Sequence, residues 1–172
     1  NEIWRRERPG DTIVNTAPTH VAARLMPNGQ TLARVLADRK YGKVRNTVFI
    51  VDEIGMVPLS TIKRLGEWQL VGAKFVLLGD FDGQFEPVAD AWRREDMQSA
   101  DIYRQLTRSL KVKLSTNRRA AGDPRHFAFY TGLYPFVKQP DTLGDCVRQA
   151  IERYPWDGEV APDTRAFVVS HR

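Results

Sequence analysis

Cysteine is nearly missing from this 172-residue sequence: Cys146 stands alone. No disulfide can therefore form within the chain, a reducing compartment is favoured, and a cysteine-based zinc cluster is excluded. Long apolar runs are missing as well. No stretch approaches the roughly 18 apolar residues that a membrane span requires, and the opening Asn1-Glu2-Ile3-Trp4-Arg5-Arg6 lacks a secretory pattern. The expectation is a soluble, intracellular chain with no membrane partner. His126 and His171 have no partners at metal-ligand spacing. A basic tail is also absent: the net charge of +5 is spread along the chain and gives only a mild attraction for polyanions.

What is present is an ordinary globular mixture, 42% hydrophobic and 27% charged, enough to bury a core and cover it. Short β-branched runs alternate with segments of helical spacing, the pattern of βα units in a mostly parallel sheet. Strands are expected at Thr12–Thr16, Thr47–Val51, Lys74–Leu78 and Leu110–Leu114, and helices at Val21–Met26, Thr31–Arg39 and Pro58–Leu70. The texture changes after Arg119, with helices expected over Arg125–Leu133 and Thr142–Tyr154. A Pro/Gly/Asp-rich stretch, Pro155–Asp163, then marks a domain boundary before a strand-like run at Arg165–Ser170. The first residue is not methionine and that last run stands at the very end, so the sequence reads as a fragment incomplete at both ends.

The chemistry gathers at strand ends. Phe49-Ile50-Val51-Asp52-Glu53 is an apolar strand closing in two acids, placed at the carboxyl edge where ligands of parallel sheets bind. In nucleotide hydrolases the first such acid holds hydrated Mg²⁺ and the second polarises the attacking water. Asp52 and Glu53 fit those roles; the plainer alternative is an acidic strand end or helix cap. A second strand ends in Leu78-Gly79-Asp80, with Gln84 shortly after. Glutamine donates and accepts hydrogen bonds and can sense a terminal phosphate, whereas a tight turn with a solvated glutamine is the simpler alternative. A third strand end delivers Arg118 and Arg119, suited to phosphate oxygens or simply to a solvated basic face. At Thr16-Ala17-Pro18-Thr19-His20, Thr19 is expected to cap a helix whose start, with His20, can grip nucleic-acid phosphate. Phe81, Phe85 and Trp92 flank the glutamine loop and serve either core packing or base stacking.

Taken in order, Ala17-Pro18-Thr19, Asp52-Glu53-Ile54-Gly55, Leu78-Gly79-Asp80 with Gln84, and Leu114 with Asn117 and Arg119 resemble motifs Ia, II, III and IV of superfamily 1 helicases, most closely the RecD-like branch. The resemblance implies a RecA-like P-loop NTPase fold, an α/β three-layer sandwich incomplete at both ends. It divides the chain into a first motor domain at 1–120, a helical segment and linker at 121–160, and the first strand of a second motor domain at 161–172. It also implies ATP and Mg²⁺ as cofactors. Asp52 would bind the metal, Glu53 activate water, and Gln84 sense the γ-phosphate. Arg119 would be the arginine finger, while Gly79, Asp80 and Arg118 would lie beside the nucleotide. Pro18, Thr19 and His20 would lie on a track for single-stranded or partly duplex DNA, RNA not being excluded. Three features depart from the family: Gln84 follows Asp80 one residue late, His20 replaces a usual glycine, and no G-x-x-x-x-G-K-[ST] segment occurs. The expected function is a fragment of an ATP-dependent DNA helicase, inactive by itself. The rivals are a degenerate, non-catalytic nucleic-acid-binding module and another P-loop ATPase.

Overall fold

The computed structural model describes residues 2–40, 43–81, 100–114, 116, 118, 122–137 and 140–155. They fall into two compact units, Asn1–Ser115 and Thr116–Arg172.

The first unit opens with helix α1 (Glu2–Glu7) and strand β1 (Thr12–Ala17), then α2 (His20–Leu25), the two-residue β2 (Gln30–Thr31) and α3 (Leu32–Asp38). Strand β3 (Thr47–Val51), a 3₁₀ turn at Ile54–Met56, α4 (Leu59–Leu70), β4 (Lys74–Leu77) and α5 (Asp101–Thr107) follow. The four strands form one sheet in the order β2-β1-β3-β4, with every pairing parallel. β3 is central, and its Thr-Val-Phe-Ile-Val run is buried nearly throughout, as a strand covered on both faces must be. Its register sets Thr16 of β1 opposite Val51, and Val51 opposite Leu77 of β4. All three strands therefore end on one edge. Sheet and flanking helices make the RecA-like α/β arrangement.

Packing centres on Phe49, which is fully buried, with the Trp68 ring centroid at 5.1 Å and that of Phe75 at 5.5 Å. In α4 the spacing of Ile62, Leu65 and Trp68 turns all three into the core. Pro58 precedes the first helical residue, and its carbonyl accepts from the amides of Thr61 and Ile62. Gly72, at φ +96°, reverses the chain after α4, and its amide donates to the Gln69 carbonyl at 3.0 Å. At the opposite edge from the strand ends, Lys74 Nζ donates to both carboxylate oxygens of Asp11, at 2.9 and 2.7 Å, while Trp4 Nε1 donates to Asp11 Oδ2 at 3.1 Å. This ties α1 and the start of β1 to the start of β4.

The second unit contains α6 (Pro124–Val137), a 3₁₀ turn at Pro140–Thr142, and α7 (Leu143–Arg153), close to the two helices expected there. Tyr154 packs edge-on against His126 and Phe129, and its hydroxyl lies 2.9 Å from His126 Nδ1. The strand-like run at 165–170 lies outside the described residues.

One expected strand does not form. Residues 110–114 carry no strand, and Leu110, Val112 and Leu114 are 78%, 84% and 87% exposed. The segment leaves α5 through Arg108 and Ser109, both at left-handed φ, and among the described residues no strand lies beside it to complete a ladder. An apolar alternation without a partner leaves its backbone groups unpaired and is not stable as a strand.

Candidate active site at the carboxyl edge of the sheet

Because β1, β3 and β4 run in parallel, the segments after them meet at one edge: Pro18-Thr19-His20, Asp52-Glu53 and Gly79-Asp80. This juxtaposition is the geometry expected at the ligand-binding edge of an open α/β sheet.

The turn after β3 is held from three sides. The Asp52 amide donates to the Thr16 carbonyl at 2.8 Å, so the sheet bonding of β3 to β1 continues one residue past β3. The Ile54 amide donates to the Leu78 carbonyl at 2.9 Å, and the Leu78 amide to the Val51 carbonyl at 2.8 Å, fastening the same turn to the end of β4. Within it, the Glu53 amide donates to Asp52 Oδ1 at 2.9 Å and the Met56 amide to the Glu53 carbonyl at 3.0 Å. Glu53 adopts φ 56°, ψ 39°, a left-handed conformation that costs a residue with a Cβ about 1–2 kcal/mol. Strain of this kind persists only where surrounding contacts over-determine it, and it concentrates at functional sites. Both acids are half-buried, while Asp80 is exposed.

Two features of this edge were not visible in the sequence. Thr16 is completely buried, and its Oγ1 has no hydrogen-bond partner among the described residues, beside the point where Asp52 joins β1. Its type matches the rest of the β-branched strand, so nothing in the pattern singled it out. Asn15 Nδ2 donates to the Pro27 carbonyl at 2.6 Å and holds the loop that follows α2.

Thr19 caps α2 as expected: its Oγ1 accepts from the Ala22 amide at 3.2 Å. His20 is the first residue of α2 and exposed, and Pro18 is half-buried beside it. Phe81 packs edge-on against Tyr103 of α5, with centroids 5.7 Å apart. Phe85, Trp92, Gln84 and Arg119 lie outside the described residues. Arg118 is an exposed residue in a bend of the second unit, and the strand expected to deliver it and Arg119 to the edge is not formed.

Among the described residues no group of three or more His, Cys, Asp or Glu side chains could hold a metal ion, and no helix is long and apolar enough to cross a membrane. Mg²⁺ keeps several waters and takes only one or two carboxylates together with substrate phosphates, so the lack of a larger ligand cluster among the described residues does not conflict with it.

Compared with known protein families, residues 1–126 match the model of a family described as an AAA domain. None of the curated proteins matches the chain.

Proposed function

Because the chain belongs to the AAA-domain family of P-loop NTPases, we propose that it is the part of an ATP-driven DNA helicase that activates water and grips the single strand. The coarse assignment, a nucleotide hydrolase domain of P-loop type, is carried by the family and by the parallel sheet with its flanking helices. The helicase reading is supported by one observation above the rest: Pro18-Thr19-His20, Asp52-Glu53 and Gly79-Asp80 stand side by side on one sheet edge, in the order the helicase motifs require.

In this reading Asp52 holds Mg²⁺. Bound there, the ion would neutralise charge on the β- and γ-phosphate oxygens. Glu53, presented by its left-handed backbone, accepts the proton of the attacking water as that water approaches the γ-phosphate. Gln84 senses the γ-phosphate, Arg119 stabilises its transferring charge with Arg118 beside it, and Asp80 lines the nucleotide. Pro18, Thr19 and His20 form the single-strand track. No G-x-x-x-x-G-K-[ST] segment lies within these 172 residues, and the motor reading requires a backbone and lysine cradle for the phosphates supplied from outside them. The same missing segment favours, as second reading, a binding module that has lost catalysis.

The two readings separate on ATP hydrolysis by the full-length protein with and without single-stranded DNA. Strong stimulation by DNA supports the motor. A folded protein that binds DNA and hydrolyses no ATP supports the module. His20→Ala is expected to weaken single-stranded DNA binding through loss of a hydrogen bond or stacking contact; an unchanged affinity removes His20 from the track.

A further inference from the structure

The end of β4 touches the acid-bearing turn at a point too narrow for any side chain. A Cβ on residue 79 would stand 2.8 Å from Ile54 Cγ2, 3.2 Å from the Ile54 nitrogen and 3.4 Å from that of Gly55. Gly79 is not among the positive-φ glycines, so space rather than backbone freedom calls for glycine here. The turn has nowhere to retreat: Ile54 is 2% exposed and belongs to the core cluster, and Gly55 is buried. The bond from the Ile54 amide to the Leu78 carbonyl, 2.9 Å, fixes the approach from the other side.

We propose that Gly79 is a positioning residue: by setting how closely the end of β4 approaches Ile54, it fixes where Glu53 is presented and joins that acid to the Asp80 segment. This replaces direct nucleotide contact as the role of Gly79, and it rests on the reading of Glu53 as the water-activating acid. Glu53 immediately precedes Ile54 and is held left-handed by bonds within the same turn. Displacement of Ile54 therefore moves Glu53 directly. Relaxing a 2.8 Å contact to the 3.4 Å of ordinary packing requires a shift of about 0.6 Å, and misplacing a catalytic group by about 1 Å can slow a reaction about 100-fold.

The test is steady-state ATP hydrolysis by the full-length protein carrying Gly79→Ala, Ile54→Ala, both, or Glu53→Gln, with folding checked by circular dichroism. Gly79→Ala is expected to lower turnover at saturating ATP about tenfold or more while the KM for ATP stays within about twofold. Removing Cγ2 with Ile54→Ala in the Gly79→Ala background is expected to recover part of that turnover, which a merely structural lesion would not show. If Gly79→Ala does not fold, Ile54→Ala alone is decisive: reduced turnover at unchanged KM supports the proposal and wild-type turnover overturns it. A raised KM at unchanged turnover in Gly79→Ala also overturns it and returns Gly79 to nucleotide contact. Full activity in Glu53→Gln would bring down the underlying reading. An inactive Glu53→Gln alongside a fully active Gly79→Ala would bring down the positioning role alone.

Discussion

Phe49→Ala tests the packing that holds the acid-bearing strand in place. Phe49 is fully buried at the middle of β3, ringed by Trp68 at 5.1 Å and Phe75 at 5.5 Å, with the Arg39 guanidinium 5.8 Å from its centroid. Emptying such a site removes the transfer free energy of the ring and leaves a cavity, together about 3–5 kcal/mol. That is a large share of the roughly 5–15 kcal/mol by which a domain is stable. Phe49→Leu keeps most of the apolar volume and loses the two ring contacts and the cation–π contact. With each aromatic pair worth about 0.5–1.5 kcal/mol and the cation–π contact about 0.5–1 kcal/mol, its expected loss is about 1.5–4 kcal/mol, smaller than that of the alanine variant because no large cavity is left. Urea titrations followed by tryptophan fluorescence are suited to the comparison because Trp68 lies against the altered ring. A loss below about 1.5 kcal/mol for Phe49→Ala, or no difference between the alanine and leucine variants, would refute this account of the core.

Two further perturbations probe the sheet's opposite edges. The hydrogen bond from Lys74, with help from Trp4 and the charges of Lys74 and Arg8, holds the Asp11 carboxyl below its ordinary value of 3.8. The unfolded chain therefore takes up that proton first, so the pair's contribution is complete above the ordinary aspartate range and disappears as pH falls through the lower folded value. Lys74→Met should accordingly destabilise the protein near neutral pH and make little difference well below that range, read as melting temperature against pH; an equal deficit at every pH would contradict it. Thr19→Ala removes the side-chain acceptor of the Ala22 amide. A lost cap of about 1 kcal/mol should speed exchange of the first α2 amides roughly fivefold, and Thr19→Ser should restore protection. Unchanged exchange in Thr19→Ala would mean the cap contributes nothing.

The parts of the fold legible in the sequence are those whose local pattern matches their burial. Thr47–Val51 is a strand over the expected residues because a central parallel strand must be apolar on both faces. α4 starts and stops within a residue of expectation because Pro58 and Gly72 mark its two ends. The short α1, the two-residue β2 and α5 were not anticipated, and two residues such as Gln30–Thr31 are too few to show any period. Leu110–Leu114 shows the converse, since apolar alternation reports a preference for pairing and says nothing about whether a neighbouring strand exists.

The site divides along the same line. Asp52, Glu53, Gly79 and Asp80 were legible because each follows an apolar strand, and strand ends of a parallel sheet share an edge. The left-handed backbone of Glu53, the Thr16 hydroxyl left without a partner among the described residues, and the narrow contact of Gly79 with Ile54 depend on residues far apart in sequence. No single-segment pattern encodes them.

The most direct test of the central claim is ATP turnover by the full-length protein and its Glu53→Gln variant, each with and without single-stranded DNA, alongside ATP affinity. The expected result is DNA-stimulated hydrolysis that is lost in the variant while ATP binding persists, since the substitution removes the proton acceptor and leaves Asp52 in place. Turnover retained by Glu53→Gln would contradict the assignment of that residue, and with it the mechanism built on this edge of the sheet.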